Sequence, residues 1–110
     1  MNTKKFKLKS NQIKQLIQNI GACIASDKIT VSGELIGYMY REEPSFKNDS
    51  GWRFFSGTET QKFADQADNF EIFNVNSIAN YDPSIIPFLK LPIGSELERK
   101  KETKSFKLIK

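Results

Sequence analysis

Apolar residues follow two different spacings along this chain, and each spacing predicts a different kind of element. Near the N-terminus they recur at intervals of three and four residues, which is the spacing of an amphipathic helix. Ser10 can cap this helix and Gly21 can follow its last turn, so we expect a helix over residues 10–20. The apolar positions on which this prediction rests are Ile13, Leu16, Ile17 and Ile20.

Most of the remaining chain alternates apolar and polar residues, as strands do. Residues 32–34 (Ser-Gly-Glu) have the composition of a hairpin-like turn between two of these strands. Residues 70–75 carry apolar side chains on both faces, so we expect a central strand that is covered on both sides. The predicted strands cover residues 22–26, 29–31, 35–41, 52–56, 70–75 and 95–99.

Short helices are predicted between the strands. Thr58 and Gln61 have the spacing of a capping box, and Asn76 or Ser77 can cap a further turn. Pro87 excludes a long helix in the apolar segment around it, because proline removes a hydrogen bond from a helix interior.

The order of these elements predicts an α+β fold. We expect a single small domain over residues 1–110, with a mainly antiparallel sheet and two or three short helices. A repeating strand–helix–strand order, which would predict a parallel sheet, is not visible in the pattern.

The net charge of +4 hides an acidic body between two basic ends. Residues 1–26 hold five lysines and no acid, residues 27–99 hold seven basic and twelve acidic residues, and residues 100–110 hold five lysines and one glutamate. We therefore expect residues 1–9 and 100–110 to be lysine-rich terminal strands or tails. Lysine alternates with apolar residues in both ends, which favours edge strands with a solvated lysine face over a nucleic-acid patch.

Two aromatic-rich strands, around residues 38–44 and 50–57, are the most informative part of the chain. They hold the one tryptophan, two of the three tyrosines and two of the three arginines. We expect aromatic rings on one face and arginines and glutamates on the other, so that the polar face can meet another macromolecule. Trp52 is expected to pack in the core with Phe54 rather than contact a partner, while Arg53 points the other way.

The residue chemistry argues against an enzyme. The chain has no histidine, which removes the commonest general base and the commonest transition-metal ligand. Cys23 lies among apolar residues, so we favour an inert buried thiol over a nucleophile. Asp65, Asp68 and Asn69 resemble part of a calcium loop but lack its glycine and terminal glutamate, which favours a solvated acidic turn. We expect no catalytic residue, no cofactor and no metal; a carboxylate-dependent enzyme is the alternative.

The sequence also indicates a cellular compartment. A single cysteine permits no internal disulfide, which favours a reducing environment. The chain has no apolar stretch near the roughly 18 residues that a membrane helix needs. Its basic N-terminus also lacks the apolar run of a signal peptide. We expect a soluble cytoplasmic protein.

Four blocks of the sequence carry a resemblance. They are ACIASDKI (22–29), GYMYREEP (37–44), DSGWRFFSG (49–57) and NYDPSIIP (80–87). In this order they resemble a family of small bacterial proteins known as immunity-protein-like, formerly a domain of unknown function, whose members occur in or beside polymorphic toxin loci. The resemblance covers residues 22–99, the acidic body. It implies a toxin-neutralising role through binding and supplies no catalytic residue.

This resemblance makes a protein the expected partner, with a basic toxin domain as the first candidate. An acidic face would steer association with a basic nuclease and block its nucleic-acid site. The alternative from another class is a nucleic-acid-associated protein that uses the lysine-rich ends. The residues expected to bind the partner are Arg41, Glu42, Glu43, Asp49, Arg53, Asp65, Asp68 and Asp82.

Overall fold

A six-stranded mixed sheet is the centre of the fold in the computed structural model, which describes residues 4–109. Its strands are β1 (Ala22–Ser26), β2 (Tyr38–Arg41), β3 (Asp49–Phe55), β4 (Phe70–Asn74), β5 (Glu96–Arg99) and β6 (Phe106–Leu108). They lie in the order β4-β1-β3-β2-β5-β6, and among these strands only β1 and β3 pair in parallel. The predicted α+β fold with a mainly antiparallel sheet is confirmed.

Short helices precede the first strand and connect the later ones. They are the α-helices α1 (Asp27–Thr30), α2 (Gln61–Ala64) and α3 (Val75–Tyr81), and the 3-10 turns Ser10–Gln12, Ala67–Asn69 and Pro83–Phe88. Asn74 caps α3 by accepting a hydrogen bond from the N–H of Asn76 at 2.9 Å. Thr60, and not Thr58 as predicted, caps α2 by accepting from the N–H of Phe63 at 3.1 Å. Within residues 4–109, each helix is too short or too polar to cross a membrane.

One face of the sheet, here called the covered face, packs against α1, α3 and the 3-10 turn that follows α3. These helices and the sheet contribute to one cluster of buried apolar residues. Cross-strand pairing places Met39 between Phe54 and Leu97 on this face, and all three are buried. Trp52 shares the face and has no exposed surface, and its indole N–H donates to the backbone oxygen of Leu89 at 3.1 Å. The prediction that Trp52 belongs to the core is confirmed.

The prediction of an amphipathic helix near the N-terminus is wrong. A 3-10 turn forms at Ser10–Gln12, and residues 13–20, here called the strap, continue without regular structure. The strap is held on α3 by two asparagine side chains. Lys14 donates its N–H to Asn80 Oδ1 at 3.0 Å, and the Nδ2 groups of Asn76 and Asn80 donate to the Lys14 oxygen at 2.9 and 2.8 Å. These distant amides satisfy backbone groups that a helix would otherwise pair, and local periodicity does not reveal them.

Two strand predictions also need correction. Residues 29–31 do not form a strand, because α1 begins after Ser26, whose hydroxyl accepts from the N–H of Lys28 at 3.1 Å. β4 is an edge strand and not the central strand that its apolar residues predicted. Its two apolar sides have different surroundings: Phe73 packs against the core, whereas Ile72 is 60% exposed.

The two lysine-rich ends differ in structure. β6 forms the sheet edge opposite β4. Residues 4–9 contain no strand, and Lys4 instead pairs with Glu71 of β4 at 2.6 Å. Residues 1–3 and 110, which belong to the predicted terminal segments, lie outside the described residues.

Candidate protein-binding surface

The second face of the sheet, here called the open face, carries aromatic and polar side chains in place of an apolar core. Cross-strand pairing sets Tyr38 opposite Phe55 and Tyr40 opposite Arg53. On the next strand, Glu96 lies opposite Tyr40. The open face includes Ile24, Ser26, Tyr38, Tyr40, Arg53, Phe55, Phe70, Ile72, Glu96, Glu98 and Lys107.

A row of half-buried aromatic rings crosses the open face. The ring of Phe55 lies 5.7 Å from Tyr38, 5.9 Å from Tyr40 and 5.7 Å from Phe70, measured between centroids. Phe63 of α2 extends the row through its contact with Phe70 at 6.0 Å. Aromatic pairs of this kind contribute about 0.5–1.5 kcal/mol beyond their buried area. The row therefore stabilises the open face while part of each ring stays in contact with solvent.

The expected separation of aromatic rings from arginines is wrong, because the two arginines of these aromatic-rich strands lie on opposite faces. Arg53 lies beside Tyr40 on the open face, whereas Arg41 lies opposite Trp52 on the covered face. The guanidinium carbon of Arg41 is 5.7 Å from the Trp52 ring, and the group donates to two backbone carbonyl oxygens at 2.9 Å each. The alternation of side chains was predicted correctly, but the faces also depend on the register between strands.

Arg53, Asp49 and Glu42 form a group of ion pairs, here called the brace. Arg53 is 3% exposed, and it donates to the two oxygens of Asp49 at 3.0 and 2.7 Å and to Glu42 Oε2 at 2.6 Å. Burial by itself raises the pKa of Asp49, but donors from Arg53 and from the backbone of Ser45 and Gly51 outweigh it and lower that pKa to about 2. The brace fixes β3 to the loop after β2, and Glu42 is its solvent-facing member, with 49% of the side chain exposed.

The residues predicted to bind a partner divide into buried and exposed groups. Asp49, Arg53 and Asp82 are buried. Asp82 pairs with Arg99 and accepts from the N–H of Ile36 at 3.0 Å, so its carboxylate is engaged within the fold. The surroundings of these three residues favour internal roles over contact with a second protein. The others remain accessible, and their binding role stays a prediction: Arg41 is half-buried, and Glu42, Glu43, Asp65 and Asp68 are exposed.

A shallow pocket of about 320 Å³ opens where the turn before β5 passes Tyr38 and Tyr40. The hydroxyl of Tyr38 donates to the carboxylate of Glu96. Burial and this hydrogen bond raise the pKa of Tyr38, so the hydroxyl keeps its proton and remains a donor. Ile93, at the rim, is 46% exposed, and no atom outside residues 93–95 lies within 4 Å of the position that a Cβ on Gly94 would take. The pocket is therefore open to solvent above the turn.

Sequence reasoning did not find the part of this pocket that comes from residues 93–96. The sequence predicted the strand over residues 95–99, which contributes Ser95 and Glu96. Nothing local in the sequence indicates that this strand pairs with β2, and that pairing is what brings Glu96 beside Tyr40. The pocket therefore depends on the long-range pairing of β2 with β5, which no local motif indicates.

Fold and surface together define a class of protein: a small α+β domain in which one sheet face is packed and the other remains accessible. A domain model described as the immunity protein Imm33 domain matches residues 23–110, so the chain belongs to this immunity protein family. The resemblance stated from the sequence is confirmed, and the match also takes in residues 100–110, which the resemblance left outside. No curated protein and no solved structure matches the chain.

Proposed function

We propose that this protein neutralises a toxin protein by binding it and covering the surface through which the toxin acts. The observation that carries the proposal is the match to the immunity protein domain over residues 23–110, which includes the whole sheet except the first residue of β1. The open face supports it, because aromatic rings within a polar surround are typical of protein interfaces.

The reactive side chains are buried or paired within the fold, which supports binding without catalysis. Cys23 is fully buried, and burial raises the pKa of its thiol, which disfavours the nucleophilic thiolate. The carboxylates of Asp49 and Asp82 are each engaged by an arginine. Between residues 4 and 109, no group of three or more His, Cys, Asp or Glu side chains could hold a metal ion. We therefore propose stoichiometric occlusion of the toxin.

The charge of the body supports a basic toxin as the partner, and we propose that the two proteins meet in the cytoplasm. Residues 27–99 carry twelve acidic and seven basic residues. An acidic surface attracts a basic protein over long range and speeds its association. The lysine-rich C-terminal end is partly engaged within the molecule, since Lys107 pairs with Glu98 at 3.5 Å. The exposed acids that we assign to this attraction are Glu42, Glu43, Asp65 and Asp68.

Co-production with a toxin tests this function. Each candidate toxin encoded beside the gene is expressed in a bacterial host, alone and together with this protein, while growth is followed. We expect one candidate to arrest growth, the protein to restore it, and the purified pair to elute as a complex of fixed stoichiometry. Because occlusion needs only the toxin's surface, a catalytically inactive toxin should bind equally well.

A control variant and a mass measurement complete the test. Lys90 is exposed and lies outside both the open face and the acidic set, so Lys90→Ala should protect as well as the unchanged protein. The toxin recovered from the complex should have an unaltered mass. A covalently modified toxin, or the absence of binding and protection with every candidate, would show that the proposal is wrong.

A further inference from the structure

We infer that an arginine side chain of the toxin anchors the complex by entering the shallow pocket between Tyr40, Ile93 and Glu96. This inference rests on the proposed function and adds the chemistry of the central contact. The pocket has a volume of about 320 Å³ and lies where the open face meets the turn before β5.

The walls of the pocket suit the stem and the planar head of an arginine. Ile93 offers exposed apolar surface, against which the methylene groups of the stem can pack. The ring of Tyr40 is held by a stacked contact with Phe55, at 5.9 Å and 13° between planes. A ring that is already fixed loses little side-chain entropy when it receives a ligand. A guanidinium stacks on such a ring more favourably than a lysine ammonium, which is why we assign an arginine.

Two carboxylates beside the pocket supply the opposite charge. Glu96 accepts a hydrogen bond from the Tyr38 hydroxyl through Oε2, and Glu42 accepts from Arg53 through its own Oε2. These bonds hold each carboxylate in place and use one of its oxygens. The other oxygen of each can accept from a guanidinium, whose fork of donors matches carboxylate geometry.

The protein's own arginines near the pocket are positioned so that they oppose a bound cation only weakly. Arg53 is paired with both oxygens of Asp49. Arg41 also lines the pocket, but its guanidinium lies over the Trp52 ring and donates to backbone carbonyls. Glu42 is exposed and Glu96 is half-buried, whereas Arg53 is buried and the guanidinium of Arg41 is engaged within the fold.

Titration with N-acetyl-arginine methylamide, followed by the amide signals of ¹⁵N-labelled protein, tests the pocket without any toxin. We expect saturable shifts at residues 38–42 and 93–96, with a Kd of about 1–20 mM. The citrulline analogue has nearly the same shape without the charge and should bind at least about fivefold more weakly. Shifts that are equal for the two analogues, unsaturable, or located elsewhere would overturn the inference.

Matched variants separate the pocket from general electrostatics. Glu96→Gln keeps an acceptor for Tyr38 and should weaken arginine binding about five- to tenfold. Tyr40→Leu should weaken it to a similar extent through the loss of the stacking surface. Glu98→Gln is the control, because Glu98 lies on the same strand and face but outside the pocket. An equal affinity in Glu96→Gln and Glu98→Gln would overturn the inference.

The complex with the toxin then distinguishes this inference from the proposed function. The double variant Tyr40→Leu/Glu96→Gln, shown to be folded by its melting curve, should bind the toxin at least about tenfold more weakly. If the unchanged protein neutralises the toxin and the double variant binds it equally well, the pocket is not the anchor and the proposed function stands. If the unchanged protein neutralises no toxin, the proposed function fails, and with it the assignment of the arginine to a toxin.

Discussion

The covered face and the open face of the sheet are made from the same strands, but they remove their side chains from water to different degrees. On β3, Trp52 and Phe54 point to the covered face and are fully buried, whereas Phe55 on the open face is half-buried. Helices pack on the first two, and other aromatic rings hold the third. The covered face therefore supplies most of the apolar burial, while the open face keeps a fixed aromatic surface within reach of solvent.

The arginines of β2 and β3 are held in different ways. Arg41 on the covered side is satisfied by an aromatic ring and neutral carbonyl oxygens. Arg53 on the open side is satisfied by carboxylates. A charge held by carboxylates depends on their ionisation, so the contribution of Arg53 to stability should respond to pH more strongly than that of Arg41.

Truncating one aromatic residue on each face should give the largest difference in stability between the two faces. Trp52→Ala is expected to lower the free energy of unfolding by about 3–5 kcal/mol, as deletions of large core aromatics do. Phe55→Ala, at a half-buried position, should cost about 1–2 kcal/mol. Urea unfolding followed by circular dichroism measures both. Equal losses would show that the open face is as much a core as the covered face. An unchanged free energy of unfolding in Trp52→Ala would show that Trp52 does not belong to the core.

Disruption of the brace should have the next largest effect. Arg53→Met leaves the Asp49 carboxylate buried without its cation and should cost about 3 kcal/mol. Combined with Asp49→Asn, it should cost about 1–2 kcal/mol less than the two single changes added together, because the two residues act as one unit. Urea unfolding of the four proteins of this cycle measures the coupling. Additive losses would contradict the brace as a coupled pair.

Acid should weaken the ion pair between Asp49 and Arg53. The pKa of Asp49 lies near 2 in the folded protein, below its ordinary value of 3.8. The stabilisation from this lowered pKa is therefore complete above about pH 4 and is lost as the pH falls toward about 2. The free energy of unfolding, measured between these pH values, should decline less in Asp49→Asn than in the unchanged protein. Parallel declines would mean that the pKa of Asp49 is not lowered by folding.

Reversal of the exposed acids should have the smallest effect on stability and act on association instead. Glu43, Asp65 and Asp68 are exposed, so changing all three to lysine should alter the free energy of unfolding by no more than about 0.5 kcal/mol per residue. Association with a basic toxin should slow, and its dependence on salt should flatten. Glu42 is left unchanged because it belongs to the brace. Stopped-flow rates equal to those of the unchanged protein would rule out steering by these acids.

Local patterns predicted the elements whose cause is local. The period-two alternation around Trp52 and Phe54 correctly predicted a strand and its core side, and the fold class followed from the order of such elements. The helix over residues 10–20 failed because Asn76 and Asn80 satisfy that backbone from a distant helix.

The candidate site was predictable only in part, because its geometry depends on pairings between strands that are distant in the sequence. The alternation correctly turned Arg53 away from Trp52, but only the pairing of β2 with β3 shows that it lies beside Tyr40. Its buried charge is balanced by the carboxylates of Asp49 and Glu42, which from the sequence were expected to bind a partner. The pocket depends in addition on the pairing of β2 with β5, which brings Glu96 to it. Long-range pairings of this kind leave no mark in a local pattern.

The strap has a consequence for the order in which the molecule forms and opens. Its hydrogen bonds join Lys14 to Asn80, 66 positions away in the chain, and they require α3 to be in place first. Closing so long a loop is entropically unfavourable until the rest of the molecule has drawn the ends together. The strap should therefore dock late in folding and detach early in the native state. Its amide protons, such as that of Leu16 bonded to Asn76, should exchange with solvent well before those of the sheet.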